Sequence, residues 1–219
     1  MAKIWIALAA LSAGICASAA NAQETNAPAA GCELHIWPSG PLNSVYSGWF
    51  HGGIVNGAVT GRDGYPEVPA DPLGSASQVS LLAGAQPHAL IGRNSYRLVV
   101  HDAPLTSRAI RTMPGRLTST DIPCYAELIV DDVFLQQDVF HGSFLKSSLR
   151  YRDFGDGTAP AATPTRVFGT WVKTELKLFP PKQGANLTAA SDELKNAYVQ
   201  NLTLFAAALN KPAKAKRGR

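Results

Sequence analysis

The chain has 219 residues, of which 46% are hydrophobic and 16% charged, with 3 cysteines and a formal charge of +4. This balance excludes a disordered, collagenous or coiled-coil polypeptide and fits one globular domain of ordinary size. The positive charge is a tail: Lys211, Lys214, Lys216, Arg217 and Arg219 carry it, and with Lys3 set aside residues 23–210 hold fourteen basic against sixteen acidic side chains. The body has no interleaved basic and aromatic residues, so nucleic acid is not an expected partner.

In chain order, Lys3 precedes a short apolar run from Ile4 to Ala20, interrupted by Ser12, Gly14 and Ser18, and Ala20-Asn21-Ala22 forms a small-x-small cleavage signature. This pattern predicts a secretory signal peptide over residues 1–22, too short and interrupted for a membrane anchor, and no later segment is apolar enough to span. Residues 23–31 read as a polar linker, 32–210 as a single domain, and 211–219 as a basic, disordered tail. Cleavage leaves two cysteines, Cys32 and Cys124. An even count in an oxidising compartment predicts a disulfide between them.

Cys32 to Trp37 alternates in part and stops at Pro38, which predicts a first strand. Residues 47–69 are dense in glycine and predict a long loop without regular elements. Asp71-Pro72 is a helix-start signal, with Leu73, Ala76, Val79, Ser80 and Ala83 at helical spacing up to Pro87. Tyr96 to His101 reads as a buried strand, and Arg108 to Met113 as one or two helical turns. Tyr125–Gln137, Gly142–Phe154 and Val172–Leu178 predict three strands in an antiparallel meander. Ser191, followed by Asp192 and Glu193, is an N-cap signal for a final helix. Its stripe of Leu194, Ala197, Tyr198, Leu202, Phe205 and Leu209 predicts packing on a sheet. Asn186-Leu-Thr188 and Asn201-Leu-Thr203 match the glycosylation sequon by chance.

The chain carries no Gly-x-Ser-x-Gly elbow, His-Glu-x-x-His pair or phosphate-binding loop. His35, His51, His88, His101 and His141 include no pair at helical ligand spacing, so a metal centre would have to be assembled from distant segments such as His101, Asp102 and His141. Asp131-Asp132 lies within a strand, where neighbours point to opposite faces, so the two carboxylates are expected to diverge, one facing solvent or pairing with Arg150 or Arg152 across the hairpin. Trp49, Phe50 and His51 place aromatic side chains in the glycine-rich loop and make it the candidate partner contact. No catalytic residue, metal ligand or cofactor is expected.

From Tyr125 onward the order is long strand, hairpin partner, further strand and amphipathic C-terminal helix. In this order the chain resembles, over roughly Tyr96 to Asn210, the periplasmic α/β domains of small envelope lipoproteins, such as the CsgG-like and LpoB-like groups. The resemblance implies a non-enzymatic role in envelope assembly or secretion and carries over no functional residue. The chain departs from those groups in lacking a lipobox.

The expected fold is α/β (α+β), a mostly antiparallel sheet with helices packed on one face, one disulfide and an amphipathic C-terminal helix. The expected function is that of a periplasmic or secreted binding or assembly module of the bacterial envelope. Two alternatives stand beside it: a small hydrolase or metal-dependent enzyme using His51, His101 or His141, and a structural protein held to an anionic envelope polymer by its basic tail.

Overall fold

The computed structural model describes residues 31–47, 52–54, 72–138, 141–157, 161–182 and 184–212, with the backbone alone over 44–47 and 52–54. Residues 1–30, which include the expected signal peptide, and Trp49, Phe50, His51, Asp71 and residues 213–219 lie outside the described residues.

The elements are β1 (Cys32–Trp37), β2 (Asn43–Ser47), β3 (Gly52–Ile54), α1 (Ser75–Gly84), α2 (Pro87–Leu90), β4 (Arg97–Val100), α3 (Ser107–Thr112), β5 (Cys124–Asp138), β6 (Gly142–Asp153), β7 (Arg166–Leu176) and α4 (Leu187–Leu209). The strands form one sheet organised on β5. The first half of β5 pairs in parallel with β1, Cys32 opposite Cys124 through Trp37 opposite Ile129. Its second half pairs in parallel with β2, Asn43 opposite Phe134 through Ser47 opposite Asp138. β6 runs antiparallel to β5 from Ala126–Asp153 to Asp138–Gly142, and β7 runs antiparallel to β6. β4 is parallel to β1, and β3 antiparallel to β2.

The α/β class and the β5–β6–β7 meander are as expected, but the sheet is mixed rather than mostly antiparallel. The excursion through α1 and α2 returns β4 parallel to β1, and residues 101–123 return β5 parallel to β1, as a crossover connection requires. β2 and β3 were not expected at all. They fall within or beside the glycine-rich stretch: β2 takes its long-range partner from β5, and β3 folds back on β2.

The strand period of 2 separates two faces. Leu34, Ile36, Leu128, Val130, Leu145 and Leu149 join α4 (Leu194, Tyr198, Leu202, Phe205) and Leu82 of α1 in the main core. Burying such side chains contributes about 1.5–3 kcal/mol each. Trp37 and Ile129 point the other way and pack with Ile110 of α3, so α3 lies on the opposite face from α1 and α4.

Two helices begin elsewhere than their sequence signals. α4 starts at Leu187, because the Asn186 side chain accepts from Ala189 N at 3.1 Å and caps it. Ser191 therefore sits inside the helix. Glu193 instead accepts from the backbone N–H groups of Lys177, Leu178 and Phe179 at 2.8, 2.7 and 2.9 Å, fastening the helix to the end of β7. α1 turns Gln78 and Leu82 inward, while Ala76, Ser80 and Ala83 are exposed.

Candidate functional site

Cys32 and Cys124 are directly opposed where β1 and β5 begin, with Cα atoms 4.4 Å apart, and are joined by the expected disulfide. That bridge forms one wall of a cavity of about 450 Å³ at this end of the sheet. Pro123 extends the wall, the segment 92–96 forms a second side, and Asp156 and Gly157, just past β6, form a third. The volume lies in the range of small-molecule sites.

A polar cluster adjoins the disulfide, with Asp156 Oδ1 3.7 Å from Cys124 Sγ. Arg93 donates through Nε to Tyr151 Oη at 3.3 Å, through one terminal nitrogen to Asp153, and through the other to Asp156 Oδ2 at 3.4 Å. Its guanidinium lies over the Tyr96 ring, 5.2 Å from the centroid, and the Tyr96 hydroxyl donates to Asp156. Burial, reinforced by Asp156, pushes the Tyr96 hydroxyl up, so it stays a neutral donor. Asp153 is buried and closed on both oxygens: Tyr151 Oη donates to Oδ2 at 3.1 Å and Gly155 N to Oδ1 at 2.9 Å. Gly155 has φ +85°, a left-handed conformation that glycine adopts without a Cβ penalty, and the turn it makes presents Asp156 to the cavity. The Asp156 side chain is 59% exposed.

A second polar network lies on the sheet face that carries Trp37. Glu33, on β1, is buried and pairs with Arg97. Its other oxygen is 2.9 Å from His35 Nε2, and His35 Nδ1 is 2.9 Å from His101 Nε2. With Glu33 ionised, His35 Nε2–H donates to it, His101 Nε2–H donates to His35 Nδ1, and His101 Nδ1 is left as the bare nitrogen. The His101 ring is stacked on Trp37 with centroids 4.2 Å apart. Burial, with the Arg116 guanidinium nearby, holds the His35 imidazole down at about 4. Burial, with His35 beside it, also lowers His101.

On the same face Glu127 accepts from Tyr125 Oη at 2.9 Å and Leu117 N at 2.7 Å, and it faces Arg152 at 3.2 Å. Burial pushes the Glu127 carboxyl up against these partners. Arg116 covers the network: it lies over Tyr125 and donates to the carbonyls of Thr120, Ile122 and Pro123.

His101 thus meets His35 rather than His141. His141 sits past the end of β5, paired with Asp138 at 3.0 Å, whereas His101 continues the ladder at Ile36 O, opposite Leu128. Among the described residues no group of three or more His, Cys, Asp or Glu side chains could hold a metal ion. Asp131 and Asp132 depart from the divergence expected of strand neighbours. A bulge between Val130 and Asp132 leaves both on the outward side, because Val130 and Val133 both point into the core. Asp131 is 3.8 Å from Arg150, and Asp132 accepts from Asn43 at 3.2 Å. Burial, with Asp131 beside it, pushes the Asp132 carboxyl up. Asn201 is buried and bonded to Leu145 O, Ser147 and Thr174, which removes it as a glycan acceptor.

Sequence reasoning missed Arg93, Tyr96 and Asp156. The one signal available was the crowding of Asp153, Gly155, Asp156 and Gly157 after a strand, a turn composition that here also carries the site. No family model and no curated protein matches the chain. A solved structure described only as an uncharacterized protein is similar over 81% of this chain and 96% of that one, with 14% identity and a TM-score of 0.27, a level that carries no argument about fold or function.

Proposed function

We propose that the chain is an exported, non-enzymatic binding module of the bacterial envelope, and that its ligand site is the cavity at the disulfide end of the sheet. The observation that carries this reading is the cavity itself: about 450 Å³, with an apolar disulfide–proline wall beside the partly exposed Asp156 and Arg93. Small-molecule sites combine an apolar lining with a few placed polar groups in this way. The export pattern of residues 1–22, the disulfide and the lack, among the described residues, of a helix able to cross a membrane support the compartment. The order of elements after Tyr125 supports a role in envelope assembly, with Trp49, Phe50 and His51 as a separate contact for a protein partner.

A fragment screen read by amide NMR on residues 23–219 tests the site. Ligands are expected to shift Gly92, Ser95, Tyr96 and Gly157, and Ser95→Trp, which fills the cavity from its rim, is expected to remove those shifts. Shifts confined to other parts of the sheet would reject the cavity.

A second reading, acid–base chemistry, is favoured by the Glu33–His35–His101 chain, since a carboxylate-oriented imidazole ending in a bare nitrogen is a general-base arrangement. Hydrolysis of an activated ester that falls to the level of free imidazole in His101→Asn, and falls partly in Glu33→Gln, would favour it over simple binding.

A further inference from the structure

Resting on the reading of the cavity as a ligand site, we propose that it takes a cationic head, an ammonium or guanidinium, carried on a short apolar body. Among the described residues lining or backing the cavity, one guanidinium, Arg93, faces two carboxylates, Asp153 and Asp156. Asp153 is spent: Arg93, Tyr151 and Gly155 N occupy both its oxygens, and it is buried. Asp156 is not. Tyr96 Oη serves Oδ1, which also lies 3.7 Å from Cys124 Sγ, and among the described residues Oδ2 has only the long 3.4 Å contact from Arg93.

An ionised carboxylate has about four lone-pair sites, so Asp156 keeps acceptor capacity toward the cavity while Tyr96 fixes its orientation. The excess charge of the cluster is one negative unit. An anion approaching Arg93 would meet both carboxylates at once, whereas a cation approaching Asp156 meets the excess. The disulfide and Pro123 offer the body of the ligand an apolar wall. The same head group is supplied by a free alkylamine or by a lysine or arginine side chain of a protein.

The test is a calorimetric and NMR titration of residues 23–219 with pentylammonium, pentanol and pentanoate, which share one body and differ in the head. The expected order is pentylammonium first by about tenfold over pentanol, with pentanoate last, and the preference is expected to shrink in 1 M salt. Asp156→Asn should remove the tenfold preference, and pentanol still shifting Gly92 and Tyr96 in that variant reports that the cavity is intact. Ser95→Trp should block all three. Equal binding of the three heads, or a preference for pentanoate, overturns the cationic assignment while the cavity remains the site. Failure of every probe to shift Gly92 and Tyr96 removes both readings. Cadaverine and a peptide bearing an internal lysine then distinguish the sources: tighter binding of the first assigns a free amine, of the second a protein side chain.

Discussion

His35 is a buried imidazole kept neutral by its surroundings. Glu33 would favour the imidazolium, but Arg97 already balances that carboxylate, and burial together with Arg116 opposes a second positive charge, so the ring sits at about 4. A group whose pKa is depressed in the folded state stabilises above its unfolded value and loses that contribution as pH falls through the folded one. For His35 the window runs from about 6.5 down to about 4. Asp132 and Glu127, pushed up by burial, act with the opposite sign around the carboxylate range, so the comparison must be between variants. Urea unfolding across this window should show a component that wild type loses on acidification and His35→Gln lacks, on the order of 3 kcal/mol when complete. Identical pH profiles would mean that the fold does not shift the His35 pKa, and a component of opposite sign that the ring is held charged. At this scale the sequence was hard to read. Gln78 is wholly buried with five hydrogen bonds, to Ser39 N and Oγ, Tyr198 Oη, Gly40 O and Leu73 O. A hydrophobic periodicity places a glutamine outside, and only its partners, from three separate segments, explain why it is inside.

Among the elements, β5 has the least regular register. Its bulge makes Asp131 an extra residue: Val130 faces Leu149 and Asp132 faces Ser148, so β6 advances by one position while β5 advances by two. Deleting Asp131 would restore strict alternation, with Val130 inward, Asp132 outward and Val133 inward, and every later side chain would keep its face. Deleting Leu128 instead would exchange the faces of the residues on one side of the cut, because the side-chain period is 2. The expected outcome is a folded ΔAsp131 protein with a loss of about 1–2 kcal/mol and an insoluble or molten ΔLeu128 protein, checked by circular dichroism and amide NMR dispersion. Unfolding of both would show that the bulge is required. The strands that pair within the meander were legible because their links are short and their alternation is local. β2 was not, since its long-range partner is the distant β5, and β3 was not, since Gly52–Ile54 is too short to show an alternation although its partner β2 is close in sequence.

The whole molecule is tied at one end by the disulfide, 92 residues apart in sequence and adjacent in the sheet. In the chain-entropy model a loop of that size is worth about 4–5 kcal/mol, through restriction of the unfolded chain. Cys32→Ala with Cys124→Ala should therefore unfold at lower urea, with a loss of about 2–5 kcal/mol. A loss below about 1 kcal/mol would place comparable order in the unfolded chain itself. The bridge, the α/β class and the C-terminal helix were all legible from composition, cysteine count and periodicity. The parallel pairings were not, because the direction of a strand depends on the route of its connection, and neither a hydrophobic pattern nor a turn signal encodes that route. The cavity was illegible for the same reason: it exists only where residues near 32, 95, 124 and 156 are brought to one end of the sheet.

The placement of β5 also bears on time. β1 finds its partners at Arg97–Val100 and Cys124–Ile129, and β2 at Phe134–Asp138. A ribosome adding about 5–20 residues per second needs roughly 5–20 s to go from Cys32 to Cys124. Throughout that interval β1 and β2 lack the central strand, and Cys32 lacks its native partner Cys124. The first part of the domain to be made is among the last to be secured, and whatever escorts the nascent chain must hold an unfinished edge until the central strand arrives.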